Sequence, residues 1–259
     1  MTLLRTLAFS EFKLRYAHSS LGYVWTVSKP LMLFGVMYVV FSHMLRFGDG
    51  IPNYPVILLL GIMLWGLFAE ATSGAVTVLV ARADLLRKAN FSRSVLPVSV
   101  VLTAMMVFAF NIVALFVFVF ATGAPIRLEW LMLVPLLLEL CLLTIGVSLL
   151  LSGLFVYMRD IGQLWAVALQ LMFYATPIIY PLELLEQNGV SDLVRSLLLC
   201  SPMAQIVQDS RWALVGGAAQ PAWEIQGAMA PIPYLLVLAS VLLGAATYRH
   251  YSARLAEHV

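Results

Sequence analysis

The stretch "SVLPVSVVLTAMMVFAFNIVALFVFVFATGAPI", Ser94–Ile126, decides the fold of this chain because it contains no charged residue. A helix needs roughly 20 mostly apolar residues to cross about 30 Å of hydrocarbon, where backbone amides find no partner outside their own helix. We therefore predict a membrane-spanning helix here. The composition of the 259-residue chain agrees, since it is 62% hydrophobic and 11% charged, whereas soluble domains are about 45–50% apolar and about 25% charged.

Five other segments are also long and apolar enough to cross a membrane, so that six spans are predicted in all. The six cover residues 24–45, 54–80, 95–121, 130–156, 162–180 and 231–248. Their length and continuity exclude a β-barrel, whose strands are shorter and alternate in polarity. The predicted fold is an all-α integral membrane protein, organised as a single transmembrane domain over residues 1–259.

The basic residues orient these spans. With both termini in the cytoplasm, eleven Lys and Arg residues lie on the inner side and four on the outer side. Cytoplasmic loops carry such an excess, and the opposite topology reverses it. The inner residues are Arg5, Lys13, Arg15, Lys29, Arg82, Arg87, Lys88, Arg93, Arg159, Arg249 and Arg254, and the outer ones are Arg46, Arg127, Arg195 and Arg211. We therefore predict that both termini are cytoplasmic.

The densest basic cluster, "RADLLRKANFSRS", Arg82–Ser94, falls in the inner loop between spans two and three. Orientation of the chain accounts for most of its charge. However, "DLLRKAN" also predicts a short helix, with Asp84 as its cap and a mixed apolar and basic face. Such a face suits docking into a cleft of a cytosolic partner, and the residues alone leave both interpretations open.

Several motifs resemble the permease subunits of ABC-2 type polysaccharide exporters, which move O-antigens, capsules, teichoic acids, galactans and related glycans. The opening is similar in "FKLRYAHSSLGYVWTVSKPLMLFGVMY", Phe12–Tyr38. Similar stretches follow in the family's order: "YPVILLLGIMLWGLF", "LLRKANFSRSVLP", "YMRDIGQLW", "YATPIIY" and "CSPMAQIVQDSRWALVG". The chain departs from the family pattern at Ser92, where Pro is frequent, and at Ser201, where Asn is usual.

The resemblance implies a partner ATPase. The chain has no G-x-x-x-x-G-K-[ST] phosphate loop, so ATP and Mg are expected on a separate ATPase subunit, with no cofactor and no catalytic residue in this chain. A homodimer with two such ATPase chains is implied by analogy. Residues 82–94 then form the coupling helix. Its predicted ATPase contacts are Asp84, Leu85, Leu86, Arg87, Lys88, Asn90 and Phe91. The pair Arg159 and Asp160, after span four, is a structural clasp or a second ATPase contact by the resemblance, and a surface ion pair is the alternative.

The resemblance also implies roles for the N-terminal end and the outer region. Residues 1–22 form an interfacial helix. Near it, Arg15, Tyr16, Gly22 and Trp25 form the gate through which a lipid-linked substrate enters, although a plain membrane anchor is the alternative. Residues 181–230 form two short re-entrant helices on the outer side, before the last span. Arg195, Asp209 and Arg211 are expected near the outer surface.

Spans one and five line the channel by the same resemblance. The candidate channel residues are Tyr38, Gln163, Gln170, Phe173 and Tyr174, and the two glutamines share a helix face. Glu70 and Glu139 fall inside predicted spans. Since an ionised side chain in lipid costs about 3 kcal/mol on insertion scales, each is expected to face protein or water, or to be protonated.

Together these features predict a permease of the bacterial cytoplasmic (inner) membrane that exports a lipid-linked polysaccharide. Its expected partners are that substrate, membrane lipid, a second copy of the chain and the ATPase, with no nucleic acid. An ABC-2 permease for drugs or small lipids is the nearest alternative. An enzyme acting on lipid-linked sugars needs paired acids or a metal cluster, and a secondary transporter often shows inverted repeats. The sequence shows neither signature, and its four histidines lack metal-binding spacing.

Overall fold

The structure, a computed structural model, describes residues 6–10, 12–13, 22, 24–47, 51–82, 84, 92–123, 126–216 and 219–252. All regular structure within these residues is helical, as predicted. The α-helices are α1 Val24–Tyr38, α2 Tyr54–Ala81, α3 Val95–Ala121, α4 Leu133–Tyr157, α5 Ile161–Ala175, α6 Leu182–Gln187, α7 Asp192–Leu199, α8 Pro202–Val215, α9 Ala222–Gln226 and α10 Ile232–Ser252. A π-helical segment, Val39–Met44, continues α1, and 3-10 segments lie at Leu128–Met132 and Gly227–Met229.

Five helical segments of the described chain are long and apolar enough to cross a membrane, by length and composition. They are Val24–Met44, Tyr54–Ala81, Val95–Ala121, Leu128–Tyr157 and Ile232–His250. These segments match predicted spans one to four and six to within a few residues. The match follows from the length that a bilayer demands, which leaves a long uninterrupted apolar run in the sequence.

The fifth predicted span, residues 162–180, is a shorter helix in the structure. Helix α5 ends at Ala175 after 15 residues, below the roughly 17–25 residues of a typical span. The reason is Pro177, because the residue before a proline avoids the helical region. Thr176 accordingly has an extended backbone, with a ψ of 135°, and a turn replaces the end of the predicted helix.

Helix α2 is the centre of the molecule. Of its most apolar stretch 78% is buried inside the protein, compared with 11% for α1 and 22–33% for the other three long segments. It contacts α1, α3, α4, α5 and α8. The outer faces of the surrounding helices are left for lipid or for partner chains.

Helices α2 and α4 begin at the same end of the molecule, because α8 lies against the beginning of both. Arg211 of α8 lies next to Gly61 of α2. Trp130, just before α4, donates its Nε1–H to the carbonyl of Leu214 at 3.1 Å. We call this end, from which both helices start, the α8 end.

Helices α4 and α10 lie side by side and run parallel. A Cβ on Gly146 would lie 2.7 Å from the backbone carbon of Ser240, and a Cβ on Gly244 would overlap the carbonyl of Gly146. Further along both helices, Gly153 faces the backbone of Tyr248. Small residues permit such close helix approach within a membrane. Helix α10 therefore also begins at the α8 end.

Helix α5 runs in the opposite direction to α2. Near its start, Trp165 donates its Nε1–H to Oγ1 of Thr72 at 3.1 Å. After its end, the carbonyl of Ile179 accepts a hydrogen bond from the hydroxyl of Tyr54 at 2.8 Å. The segment therefore returns from the far end of α2 to the α8 end.

The described part of residues 181–230 contains four short α-helices, α6 to α9, where two short helices were predicted. Each begins after a residue with an extended backbone, Pro181, Ser191, Ser201 or Pro221, whose ψ lies between 124° and 150°. Serine and proline are favoured at helix starts. Their repeated occurrence in residues 181–221 divides the region into more pieces than its apolar runs suggest.

Candidate functional site

A cavity of about 810 Å³ lies between α1, α2, α3 and α5. Its walls are mainly apolar and include the rings of Trp25, Trp65, Phe108 and Phe173. The rings of Trp65 and Phe173 meet edge to face, with centroids 5.9 Å apart. We call this space the central cavity. It brings together Trp25, a predicted gate residue, and Phe173, a predicted channel residue.

Four polar side chains also line the central cavity: Thr26, Lys29, Glu70 and Asn111. Thr26 is 4% exposed and Asn111 is 8% exposed. Within the described part of the chain, neither Thr26 Oγ1 nor Asn111 Oδ1 has a hydrogen-bond partner. A buried polar atom left unpaired costs about 1–3 kcal/mol. The cavity is therefore suited to a guest that carries hydroxyl groups and also an apolar face.

Sequence reasoning anticipated part of this site. Glu70 was expected to face protein or water, and it lines the central cavity. Lys29 was counted only as an orienting charge, although it lies in α1 and reaches the same cavity. Asn111 was overlooked, although a polar amide inside a run of 33 uncharged residues, Ser94–Ile126, is itself a signal. Polar residues inside membrane segments generally face the protein interior or water.

The other predicted channel residues do not line the central cavity. Tyr38 stacks on Phe34, with ring centroids 5.6 Å apart. Gln163, Gln170 and Tyr174 are exposed on α5. Their spacings of seven and four residues place them on one helix face. The structure therefore separates the predicted channel residues into a cavity group and an exposed face of α5.

The N-terminal segment lies beside α3 where it is described. The carbonyl of Ala8 accepts a hydrogen bond from Thr103 at 3.3 Å, and Phe12 stacks on Phe110 with ring centroids 5.8 Å apart. Gly22, a predicted gate residue, has a φ of +47°, which favours glycine. The predicted gate residues Arg15 and Tyr16 lie outside the described residues.

The predicted ATPase contacts are described only in part. Asp84 is described, whereas Leu85, Leu86, Arg87, Lys88, Asn90 and Phe91 lie outside the described residues. Arg159 and Asp160 form the exposed turn that joins α4 to α5. The turn is closed by backbone hydrogen bonds from Gly162 to the Arg159 carbonyl and from Leu164 to the Asp160 carbonyl, at 3.3 and 3.0 Å.

Helix α8 is the least expected feature, because it is polar and yet buried. Twelve of its 14 residues are buried, including Asp209 and Arg211, which are 2% and 1% exposed. Both had been expected near the outer surface, and the structure encloses both in protein. The Arg211 guanidinium donates to the carbonyl of Ile178 at 2.7 Å, and burial lowers its pKa to about 10.

The carboxylate of Asp209, in α8, is held by hydrogen bonds. Asp209 accepts from the backbone N–H of Ala222 and from the side chain of Gln205, both at 2.6 Å. Burial raises the pKa of Asp209 above its ordinary value. The Oε1 atom of Glu139, in α4, is also buried, without a hydrogen-bond partner among the described residues. Glu139 thus faces protein, as expected from the cost of placing a carboxylate in lipid.

Arg195, which was also expected near the outer surface, is buried and forms ion pairs. Its side chain is 9% exposed and pairs with Glu186 at 2.7 Å and with Asp192. The hydrogen bond that the Arg195 guanidinium donates to Asp192 holds the pKa of Arg195 above its ordinary value. The pair with Glu186 connects α6 to α7, whereas the pair with Asp192 lies within α7.

Comparison with known proteins agrees with this architecture. The family described as "ABC-2 type transporter" matches residues 2–215. The chain belongs to the ABC-2 type transporter family. The matched region of this ABC-2 chain includes all four helices around the central cavity and the whole of α8.

Curated relatives of this ABC-2 chain share one printed name. A protein of Klebsiella pneumoniae called O-antigen export system permease protein RfbA is 33% identical over 187 residues, covering 72% of this chain and 71% of the relative. A second K. pneumoniae protein of that name is 28% identical over 216 residues, covering 83% and 81%. A Myxococcus xanthus protein of that name is 31% identical over 206 residues, covering 79% and 77%.

Proposed function

We propose that this ABC-2 chain is the transmembrane subunit of an ATP-driven exporter, which moves a lipid-linked polysaccharide of the O-antigen class from the cytoplasmic to the outer face of the membrane. The observation that carries the proposal is the similarity to three relatives, each named an O-antigen export system permease, over at least 72% of this chain. These relatives favour glycan export over the export of drugs or small lipids.

The path of the chain supports six membrane crossings. Helices α2, α4 and α10 all begin at the α8 end, and α5 returns between α4 and α10. Gly162 lies beside Val76, and Ile178 lies beside Gly61. The 15 residues between those two positions on α2 correspond to about 22 Å of helix. In this proposal α5 and the turn after it form the fifth crossing, and both termini lie in the cytoplasm.

The exposed face of α5 supports assembly with a second copy of the chain. Gln163, Gln170 and Tyr174 are exposed there, and exposed polar side chains at membrane depth are costly against lipid. A homodimer that places two such faces around a shared channel removes that cost. The amides and the Tyr174 hydroxyl then supply hydrogen bonds to passing sugars. Two ATPase subunits, bound through residues 82–94, complete the proposed exporter.

The central cavity supports a carbohydrate guest. Sugar hydroxyls both donate and accept hydrogen bonds, so they satisfy Thr26 Oγ1 and Asn111 Oδ1. The aromatic walls offer apolar contact to the C–H faces of a sugar ring. The volume of about 810 Å³ lies within the range of about 300–1,000 Å³ found for small-molecule sites. We assign the cavity to sugar units near the lipid-linked end of the substrate.

Helix α8 is proposed to be re-entrant and to close the outer side of the resting transporter. It lies between the first turns of α2, α4 and α10, where Arg211 meets Ile178 and Gln205 meets Tyr234. Buried polar side chains of this kind become hydrated at low cost when an exit opens, because each regains water as a partner.

The test is depletion of this chain in its own cells, followed by extraction of undecaprenyl-type glycolipids. We expect a lipid-linked glycan to accumulate on the cytoplasmic side, because its synthesis continues while its export stops. Re-expression of the chain should clear it. Unchanged glycolipid levels together with a new sensitivity to toxic compounds would instead support a drug permease.

A further inference from the structure

A second pocket lies at the end of the molecule opposite to the α8 end. It has a volume of about 550 Å³ and is formed by the start of α3, the later half of α4 and the last turns of α10. Its polar lining consists of Ser92, Arg93, Ser94, Tyr248 and Arg249. We call it the arginine pocket. No carboxylate belongs to its described lining, so the charge of the two guanidinium groups is not neutralised there.

Two buried donors of the arginine pocket are unsatisfied. Tyr248 is 6% exposed, and its hydroxyl has no hydrogen-bond partner in the described structure. The same is true of the buried Arg93 Nη1. The hydroxyls of Ser92 and Ser94 lie 2.8 Å apart, next to the positive end of the 27-residue helix α3. Guanidinium and hydroxyl donors around one space form a favourable site for a phosphate group.

The surface beside the pocket indicates that this phosphate belongs to a lipid. Arg249 shares one face of α10 with Leu242, Leu238 and Leu235, at spacings of seven, four and three residues. These leucines are 61%, 54% and 60% exposed. A free phosphate ion gains nothing from such a stripe, whereas acyl chains below a headgroup lie along it. Basic pockets between membrane helices on the cytoplasmic side are suited to anionic headgroups.

We propose that the arginine pocket binds the phosphate headgroup of an anionic phospholipid, whose acyl chains lie along the leucine stripe of α10. The assignment to the inner leaflet rests on the topology proposed above, whereas the binding itself does not. A bound headgroup joins Arg93, at the end of the predicted coupling segment 82–94, to the last helix of the transporter. Lipid occupancy therefore stabilises the connection between the ATPase-facing loop and the membrane domain.

The experiment is native mass spectrometry and thermal unfolding of the purified full chain in neutral detergent. The probes are phosphatidylglycerol, phosphatidylcholine, inorganic phosphate and undecaprenyl pyrophosphate. The test variant is Arg93→Gln with Arg249→Gln. The control variant is Lys13→Gln with Arg46→Gln, which loses the same charge from two exposed side chains elsewhere. Tyr248→Phe removes only the unpaired hydroxyl and keeps the ring, so it remains informative if the double variant fails to fold.

We expect phosphatidylglycerol to bind and stabilise the wild-type chain and the control variant. Since each basic side chain contributes about fivefold to anionic-lipid binding, the double arginine variant should bind roughly thirtyfold more weakly. Tyr248→Phe should weaken binding about fivefold. Equal binding by all variants, or equal stabilisation by inorganic phosphate, would overturn the proposal. Tighter binding of undecaprenyl pyrophosphate would overturn the phospholipid assignment in favour of the carrier lipid. Export is not measured here, so a negative result leaves the proposed function standing.

Discussion

At the scale of single residues, the presence of a hydrogen-bond partner distinguishes a polar side chain that stabilises the packing from one that is available to a ligand. A side chain that serves packing has its partners inside the protein, as Thr72 does: its hydroxyl donates to the Phe68 carbonyl at 2.7 Å and accepts from Trp165. Asn111 Oδ1 lacks such a partner among the described residues. The unpaired amide lowers the stability of the protein. We therefore infer that Asn111 serves to hydrogen-bond a ligand in the cavity.

Asn111→Leu should therefore stabilise the chain while it weakens export. Removing the unpaired amide should raise the free energy of unfolding by about 1 kcal/mol, whereas glycan export should fall about fivefold, the equivalent of one hydrogen bond. Thermal unfolding in detergent and surface glycan levels measure the two effects. Thr72→Val is the matched control, since it should lower stability by about 1 kcal/mol through a lost internal hydrogen bond. A fall in the stability of Asn111→Leu would show that this amide serves packing.

At the scale of helices, the sequence was informative where lipid alone decides the structure. Helix α2, Tyr54–Ala81, follows the predicted span 54–80 almost residue for residue. The short α5 was predictable only by giving Pro177 more weight than the apolar run around it. The burial of α8 was not predictable, because charged side chains such as Asp209 and Arg211 are typical of a helix on the protein surface. Only contacts with distant helices explain why they are enclosed.

The parallel contact between α4 and α10 depends on glycine. Gly146→Ala should lower the free energy of unfolding by about 1–3 kcal/mol, because the new methyl group meets backbone atoms that cannot move aside. Gly35→Ala in α1 is the matched control, since a Cβ there meets nothing within 4 Å. Alanine favours helices over glycine by about 1 kcal/mol, so the control should be neutral or slightly more stable. Equal melting temperatures for the two variants would contradict the close contact.

At the scale of the whole molecule, the proposed topology depends on one crossing. Met158 and Asn188 are both exposed, and α5 is the only apolar helix between them. In a background with Cys141 and Cys200 changed to Ser, Met158→Cys should resist an impermeant thiol reagent in intact cells and react after lysis. Asn188→Cys should react in intact cells. Identical labelling of the two positions would place both on one side of the membrane and exclude α5 as the fifth crossing.

The central cavity is formed by residues that are far apart in the sequence. Trp25 and Phe173 are separated by 148 positions in the sequence, and both line the central cavity. The sequence motifs predicted a role for each of the two residues, but no local pattern predicts that both rings line the same cavity. Lys29 and Glu70 are brought together in the same way. A site of this kind is a property of helix arrangement, which a single sequence does not display.

The last prediction concerns the complex with the ATPase. Leu86→Asp should uncouple ATP hydrolysis from export, because a carboxylate in the predicted docking segment removes an apolar anchor from the contact. Interface anchors contribute about 2 kcal/mol or more, so export should fall at least about tenfold. Membrane insertion and ATPase activity of the isolated ATPase subunit should not change. Leu86→Met, which keeps apolar volume, should export normally. Full export by Leu86→Asp would show that residues 82–94 orient the chain without transmitting the energy of ATP hydrolysis. The ATPase would then have to act through another contact. The exposed turn at Arg159 and Asp160 is the next candidate for that contact.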